Sequence, residues 1–241
     1  MNIEIVLALI ALVTSLVAGV VGYGGGMLLI SILPAFLNPS LVIPIHGITQ
    51  IASNTSRMFF SISHVKWSLF PKFFIGSLIG IFIFGYVLWN IPTTYVPVAI
   101  GLYILLSLWS PYFSKKMKQF ESYYLIGVLQ TGLGLVVGAT GPLSLAVLAK
   151  QLKSKDEIIA TSSMFMTISH LAKIPVFAFI VSDLFDNITL IVLMVLGSIL
   201  GSFIGTKVRF AVDNDKLIYV IKLLLTLLAT RMILKVFCEL I

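Results

Sequence analysis

The chain has 241 residues, of which 59% are hydrophobic and 10% charged. A soluble domain carries about 25% charged residues, so this composition excludes one and points to a polytopic membrane protein. The net charge of +7 would suit nucleic acid in a soluble protein, but the cations here lie between apolar runs and read as topology signals facing anionic lipid headgroups.

Apolar stretches fall at 3–37, 42–63, 70–90, 94–113, 122–150, 158–181, 187–210 and 216–238. Each is near or above the ~20 residues that span a bilayer. The connections are short: "SHVKW", "NIPTT", "SKKMKQFES", "KSKDE", "SDLFDN" and "AVDNDK". They leave one transmembrane domain over 1–241 and no separate soluble one. The opening "MNIEIVLALIALVTSLVAG" lacks a basic n-region and a small-residue cleavage site, so segment 1 is expected to stay in the membrane.

Segment 1 contains "GVVGYGGGMLLISILP", with Gly19, Gly22, Gly24, Gly25 and Gly26 where a helix should run. Each glycine costs about 1 kcal/mol against alanine in a helix, and three in a row predict a break. In lipid a break exposes backbone polar groups, so it survives only when buried in protein or facing a cavity. The predicted feature is a helical hairpin whose second limb starts at the bilayer midplane, with free N–H groups and a positive dipole end.

Segment 2 reads "HGITQIASNTSRMFFSISH". His46, Gln50, Ser53, Asn54, Arg57, Ser61 and His64 recur at spacings of three and four and are expected on one helical face. Arg57 has two readings, a deep counter-charge or an anchor snorkelling to the interface. His46 and His64 lie near the segment ends and read as interfacial. Segment 3 carries Gly76 and Gly80, and segment 7 carries Gly197 and Gly201, both GxxxG packing patterns.

Segment 5 repeats the break as "GLGLVVGATGPLSLAVL", and segment 6 reads "SSMFMTISHLAKIP". An offset of 116 lays Gly22 on Gly138, Gly25 on Gly141, Ser53 on Ser169, Asn54 on His170 and Arg57 on Lys173; an offset of 121 lays "IGSLIG" on "LGSILG". The chain therefore reads as two repeats of four segments, 1–113 and 120–241, an architecture of secondary transporters with the substrate between the repeats. Lys or Arg clusters follow segments 2, 4, 5 and 7. If segments 1 and 5 are hairpins that enter and leave on one face, all these clusters become cytoplasmic and the two repeats are inverted. Arg231 and Lys235 alone remain exceptions.

Apart from Glu4 at the start of segment 1, no Asp or Glu lies inside a segment, so Arg57 and Lys173 have no obvious internal carboxylate, and an anionic substrate is the expected partner. The candidate binding residues are Gly24, Gly25, Gly26, Gln50, Asn54, Arg57, Thr140, Gly141, His170 and Lys173. Cys238 is the one cysteine, which excludes a disulfide framework and a thiolate cluster; three histidines without an acidic cluster give no metal set, and no cofactor is expected.

These motifs, with "HGITQIASNTSR" and "IATSSMFMTISH", resemble the TauE/SafE family, the sulfite exporters also called toluene sulfonate uptake permeases. The resemblance spans nearly the whole chain. It implies a multi-pass carrier in the cytoplasmic membrane for sulfite, organosulfonates or related small sulfur-containing anions, usually an exporter. Ala139 and Thr140 depart from the richer glycine run common in the family's second motif. A passive anion channel, and an intramembrane enzyme using His46, His64 and His170, are the alternatives; a homodimer is left open.

Overall fold

The computed structural model describes residues 2–90, 92, 95–119, 122–180, 184–209 and 214–239, and these are helical, with no strand among them. Residues 91, 93–94, 120–121, 181–183 and 210–213, in or beside the connections "NIPTT", "SKKMKQFES", "SDLFDN" and "AVDNDK", lie outside the described residues.

The first segment is two helices. Helix α1 (Ile3–Val21) starts where the Asn2 side chain accepts from the Glu4 amide at 3.2 Å, with Glu4 acidic in the first turn. It stops at Gly22, whose φ of 94° is left-handed and whose N–H returns to the Ala18 carbonyl. Gly24 has a φ of 89°, and α2 (Gly25–Ile32) follows. A side chain at either position would be strained, so the break depends on glycine. α2 lies back against α1: a Cβ on Gly25 would fall on the Thr14 carbonyl oxygen.

Next come α3 (Pro39–Phe60), α4 (Phe70–Trp89), α5 (Val96–Trp109) and α6 (Pro111–Gln119). The fifth segment again divides, into α7 (Tyr123–Val137) and α8 (Gly141–Gln151), with Gly138 at a φ of 76°. Then follow α9 (Lys155–Leu171), α10 (Lys173–Ile180), α11 (Ile188–Val208) and α12 (Asn214–Glu239). Two features differ from the sequence expectation. Much of the loop "SKKMKQFES" is helical in α6. Segment 6 divides at Ala172, because Pro175 has no N–H to return to Leu171. Ile3–Val21, Trp67–Leu88 and Ile188–Val208 are long and apolar enough to cross a membrane.

Helix pairing between the halves is reciprocal. α1 packs along α11, α7 packs along α4, α3 packs on α9 and α5 on α12. The two long contacts are made by glycines at backbone distance. A Cβ on Gly197, Gly201 or Gly205 would fall on the carbonyl oxygen of Ala8, Leu12 or Leu16; one on Gly76 or Gly80 would fall on that of Tyr124 or Val128. Under the offsets of 121 and 116, Gly76 against Tyr124 becomes Gly197 against Ala8, and Gly80 against Val128 becomes Gly201 against Leu12.

These contacts make a sharp expectation. Gly201→Leu should cost 3 kcal/mol or more, on the order of the largest overpacking penalties, because its obstacle is backbone rather than a movable side chain. Gly85→Leu, where an added Cβ meets nothing within 4 Å, should be neutral. Thermal denaturation in detergent and the monodisperse fraction measure both. Equal behaviour of the two variants would remove the close-approach account.

Candidate functional site

α3 and α9 pack on each other and carry buried polar faces in a greasy molecule. His46, Gln50, Ser53, Asn54 and Arg57 are all buried on α3, and Ser162, Ser163, Ser169 and His170 on α9. Isolated polar groups are costly in such surroundings, so each is expected to have a partner.

Arg57 is 4% exposed. Its Nη2 donates to Asn54 Oδ1, while Asn54 Nδ2 donates to the Gln50 carbonyl at 2.7 Å, which fixes the acceptor. Arg57 Nε and Nη1 have no partner, and no carboxylate among the described residues pairs with the guanidinium. Arg57 lines a small cavity of about 30 Å³ with Gly22, Gly24, Gly26, Gln50 and Asn54; Gly141, Ser162, Ser163 and Met166 face it from the second half. The cavity lies at the start of α2. Leu28 makes the first amide bond back into that helix, to Gly24 at 2.9 Å, so the Gly25, Gly26 and Met27 amides lie ahead of it.

The second break is chemically different. Gln130 Oε1 accepts from the Ser144 amide at 3.1 Å, and Thr140 Oγ1 donates to the Gln130 carbonyl at 2.7 Å. The start of α8 is therefore capped by protein. Its counterpart at an offset of 116 is Thr14, whose shorter side chain returns to the Ile10 carbonyl of its own helix at 2.8 Å and reaches no amide of α2. The sequence reading expected two equivalent open termini; Gln130 closes one of them.

Lys173 also has protein partners. It is 2% exposed, donates from Nζ to the Gly138 carbonyl at 2.7 Å and lies 3.3 Å from His170 Nδ1. A cation bonded to the carbonyl that ends α7 is a favourable cap. Lys173 and His170 line a second, largely apolar cavity of about 230 Å³, walled by Ile43, Pro44, Ile48 and Phe177.

Of the predicted binding residues, the structure thus brings Gly24, Gly26, Gln50, Asn54, Arg57 and Gly141 to one cavity. Gly25, Thr140, His170 and Lys173 do not line it. Gly25 is spent on the α1–α2 contact, Thr140 on Gln130, and Lys173 on Gly138.

A family model described as "Sulfite exporter TauE/SafE" matches residues 7–232. The chain belongs to the TauE/SafE family. The matched stretch takes in both broken helices and the polar faces of α3 and α9. As a TauE/SafE protein it is a multi-pass membrane protein in a family of transporters rather than enzymes. No curated protein and no solved structure matches the chain.

Two further residues of this TauE/SafE chain, His46 and Arg209, sit where the sequence did not place them. His46, expected at the interface, is fully buried; its Nε2 donates to the Gly26 carbonyl at 2.9 Å and its ring lies 5.5 Å from that of His170. Pro44 and Gly47 beside it gave no cue to depth. His64, by contrast, is exposed and lies beyond the end of α3. Arg209 reads as a loop cation in "TKVRF" yet is 2% exposed, pairing with Asp156 at 2.7 Å; Lys66 pairs with Glu157 at 2.5 Å on the same connection. Neighbouring acidic residues at 156 and 157 are the one signal that could have found these pairs.

Proposed function

We propose that this protein is a secondary transporter of small sulfur-containing anions, sulfite or organosulfonates, exporting them across the cytoplasmic membrane. The observation that carries the reading is Arg57: a buried guanidinium with two unpartnered nitrogens, facing a cavity at the open N-terminus of α2. A buried charge without a counter-charge is expensive, and an oxyanion placed there satisfies both the guanidinium and the helix amides. Asn54 aims Arg57, and the Gln50 amide and the serine hydroxyls of α9 donate to the ligand oxygens.

A cavity of about 30 Å³ holds a water molecule or two, less than an oxyanion needs. Binding therefore requires the cavity lining to widen, which a shift of the two halves would supply. Reciprocal helix pairing supports two inverted repeats whose broken first segments are re-entrant hairpins, the arrangement that lets repeats exchange roles about a fixed site.

Transport is tested with purified protein in liposomes loaded with sulfite or methanesulfonate. Saturable efflux, accelerated by counter-anion outside, is the expected result; flux linear in concentration would make the protein a channel. Topology is tested separately, in a Cys238→Ser background with Lys116→Cys or Lys153→Cys. Both cysteines should label from the cytoplasmic side only, and opposite sidedness would rule out the hairpins.

A further inference from the structure

Among the described residues the charge balance around the cavity is incomplete. Arg209 sits at the end of α11, with Nε donating to the Gly19 carbonyl at 3.1 Å and Nη1 paired to Asp156 Oδ1 at 2.7 Å; its Nη2 has no partner. Arg209 does not itself line the cavity; it reaches the carbonyl end of α1, three residues before Gly22, which does. Among the described residues Asp156 pairs with Arg209 and no carboxylate pairs with Arg57, and Asp156 is itself 29% exposed. Between them Arg57 Nε, Arg57 Nη1 and Arg209 Nη2 are left without acceptors.

We infer that Arg209 is the second guanidinium of the anion site, and that Asp156 is a resident carboxylate which competes with the incoming anion for it. The inference rests on the reading of Arg57 as the anion's counter-charge. Its direct support is position. Arg209 bonds the carbonyl of Gly19, three residues before the break, and Gly22 of that break lines the cavity with Arg57. Asp156 reaches Arg209 from the first turn of α9, whose Ser162 and Ser163 face the same cavity. A sulfonate or sulfite oxygen and a carboxylate oxygen are the same kind of acceptor for a guanidinium fork, so the two cannot use the same N–H groups at once. In the absence of ligand Asp156 holds Arg209. When an anion arrives from the side assigned to the cytoplasm, it takes the free Nη2 and Arg57 Nη1 first, then the fork that Asp156 releases. Because Asp156 belongs to the connection that also carries the Lys66–Glu157 pair, its release loosens the contact between the loops of the two halves.

A purely structural Arg209 would only cap the last carbonyls of α1 and pair with Asp156. The two roles differ in sign at Asp156. Binding of methanesulfonate and of sulfite to purified protein is measured by calorimetry at fixed ionic strength, with thermal denaturation of each variant alongside. Asp156→Asn should raise affinity threefold or more even as it lowers the melting temperature, since a competitor is gone while an ion pair and a favourable first-turn charge are lost. Arg209→Gln should lower affinity tenfold or more. Arg209→Lys, which keeps the charge and can still reach Gly19, should fold if the glutamine variant does not, and should still lose affinity.

Affinity unchanged or weakened in Asp156→Asn, or wild-type affinity in Arg209→Lys, would overturn the inference. Arg57→Gln, measured in the same series, separates the two levels. If it loses binding while the Arg209 variants do not, the central site stands without Arg209. If it too binds normally, the reading of Arg57 fails first.

Discussion

Arg57→Gln should reduce affinity for sulfite or a sulfonate by 10- to 100-fold while the protein stays folded. A charge-assisted contact to an oxyanion is worth about 1.5–3 kcal/mol, and each 1.4 kcal/mol is tenfold. Glutamine can still donate to Asn54, so the α3 network is retained. Because no carboxylate among the described residues pairs with the guanidinium, its removal also relieves the cost of a buried unpaired charge, and the melting temperature should hold or rise. Arg57→Lys keeps the charge but not the planar fork, and should lose part of the affinity. Lys173→Gln is the informative comparison. It leaves the Gly138 carbonyl unpaired, so stability should fall by about 1–3 kcal/mol, with less effect on binding than at Arg57. Calorimetric binding and thermal denaturation of the three variants check this; wild-type affinity in Arg57→Gln would turn that residue into an interfacial anchor and move the site elsewhere.

The two cations that the offset of 116 aligns read alike in sequence and differ in the structure for a local reason. The positions of the breaks at 22–26 and 138–141 are legible, because adjacent glycines cannot serve a single packing face and left-handed backbone needs them. The face from His46 to Arg57 is legible from its spacing of three and four. GxxxG at Gly76 and Gly197 is legible as close helix contact, and the offsets that align the repeats also align those contacts. What spacing cannot convey is which polar groups satisfy one another. Gln130 stands where the first half has Thr14, and two extra side-chain atoms are enough to cap α8 and leave α2 open. Arg209 is hidden for the same kind of reason: an arginine at a helix end is usually solvated, and its contacts with Asp156, 53 residues earlier, and with the Gly19 carbonyl draw it inside. Depth is a tertiary property, and neither residue carries a local mark of it.

Neighbouring glycines in the first break should respond to substitution in opposite ways. A Cβ on Gly25 would fall on the Thr14 carbonyl oxygen and lie 2.7 Å from the Ala18 Cβ, so neither obstacle can rotate aside. Gly25→Ala should therefore separate α2 from α1 and cost 3 kcal/mol or more, about the upper end for overpacking, with loss of folded protein. At Gly26 the nearest atom to a new Cβ is Gln50 Oε1 at 3.0 Å, the far end of a flexible side chain, and the direction is into the cavity. Gly26→Ala should fold, with a change in stability of about 1 kcal/mol or less, since helix propensity favours alanine and the side chain of Gln50 can move. It should nevertheless lose transport and at least tenfold in anion affinity, because a methyl group then occupies part of a space of about 30 Å³ where the ligand must meet the α2 amides. The pair is measured by yield of monodisperse protein, melting temperature and sulfite efflux from liposomes. A folded, inactive Gly25→Ala would mean that the backbone there approaches the solute rather than α1. A fully active Gly26→Ala would mean that the anion does not use the start of α2.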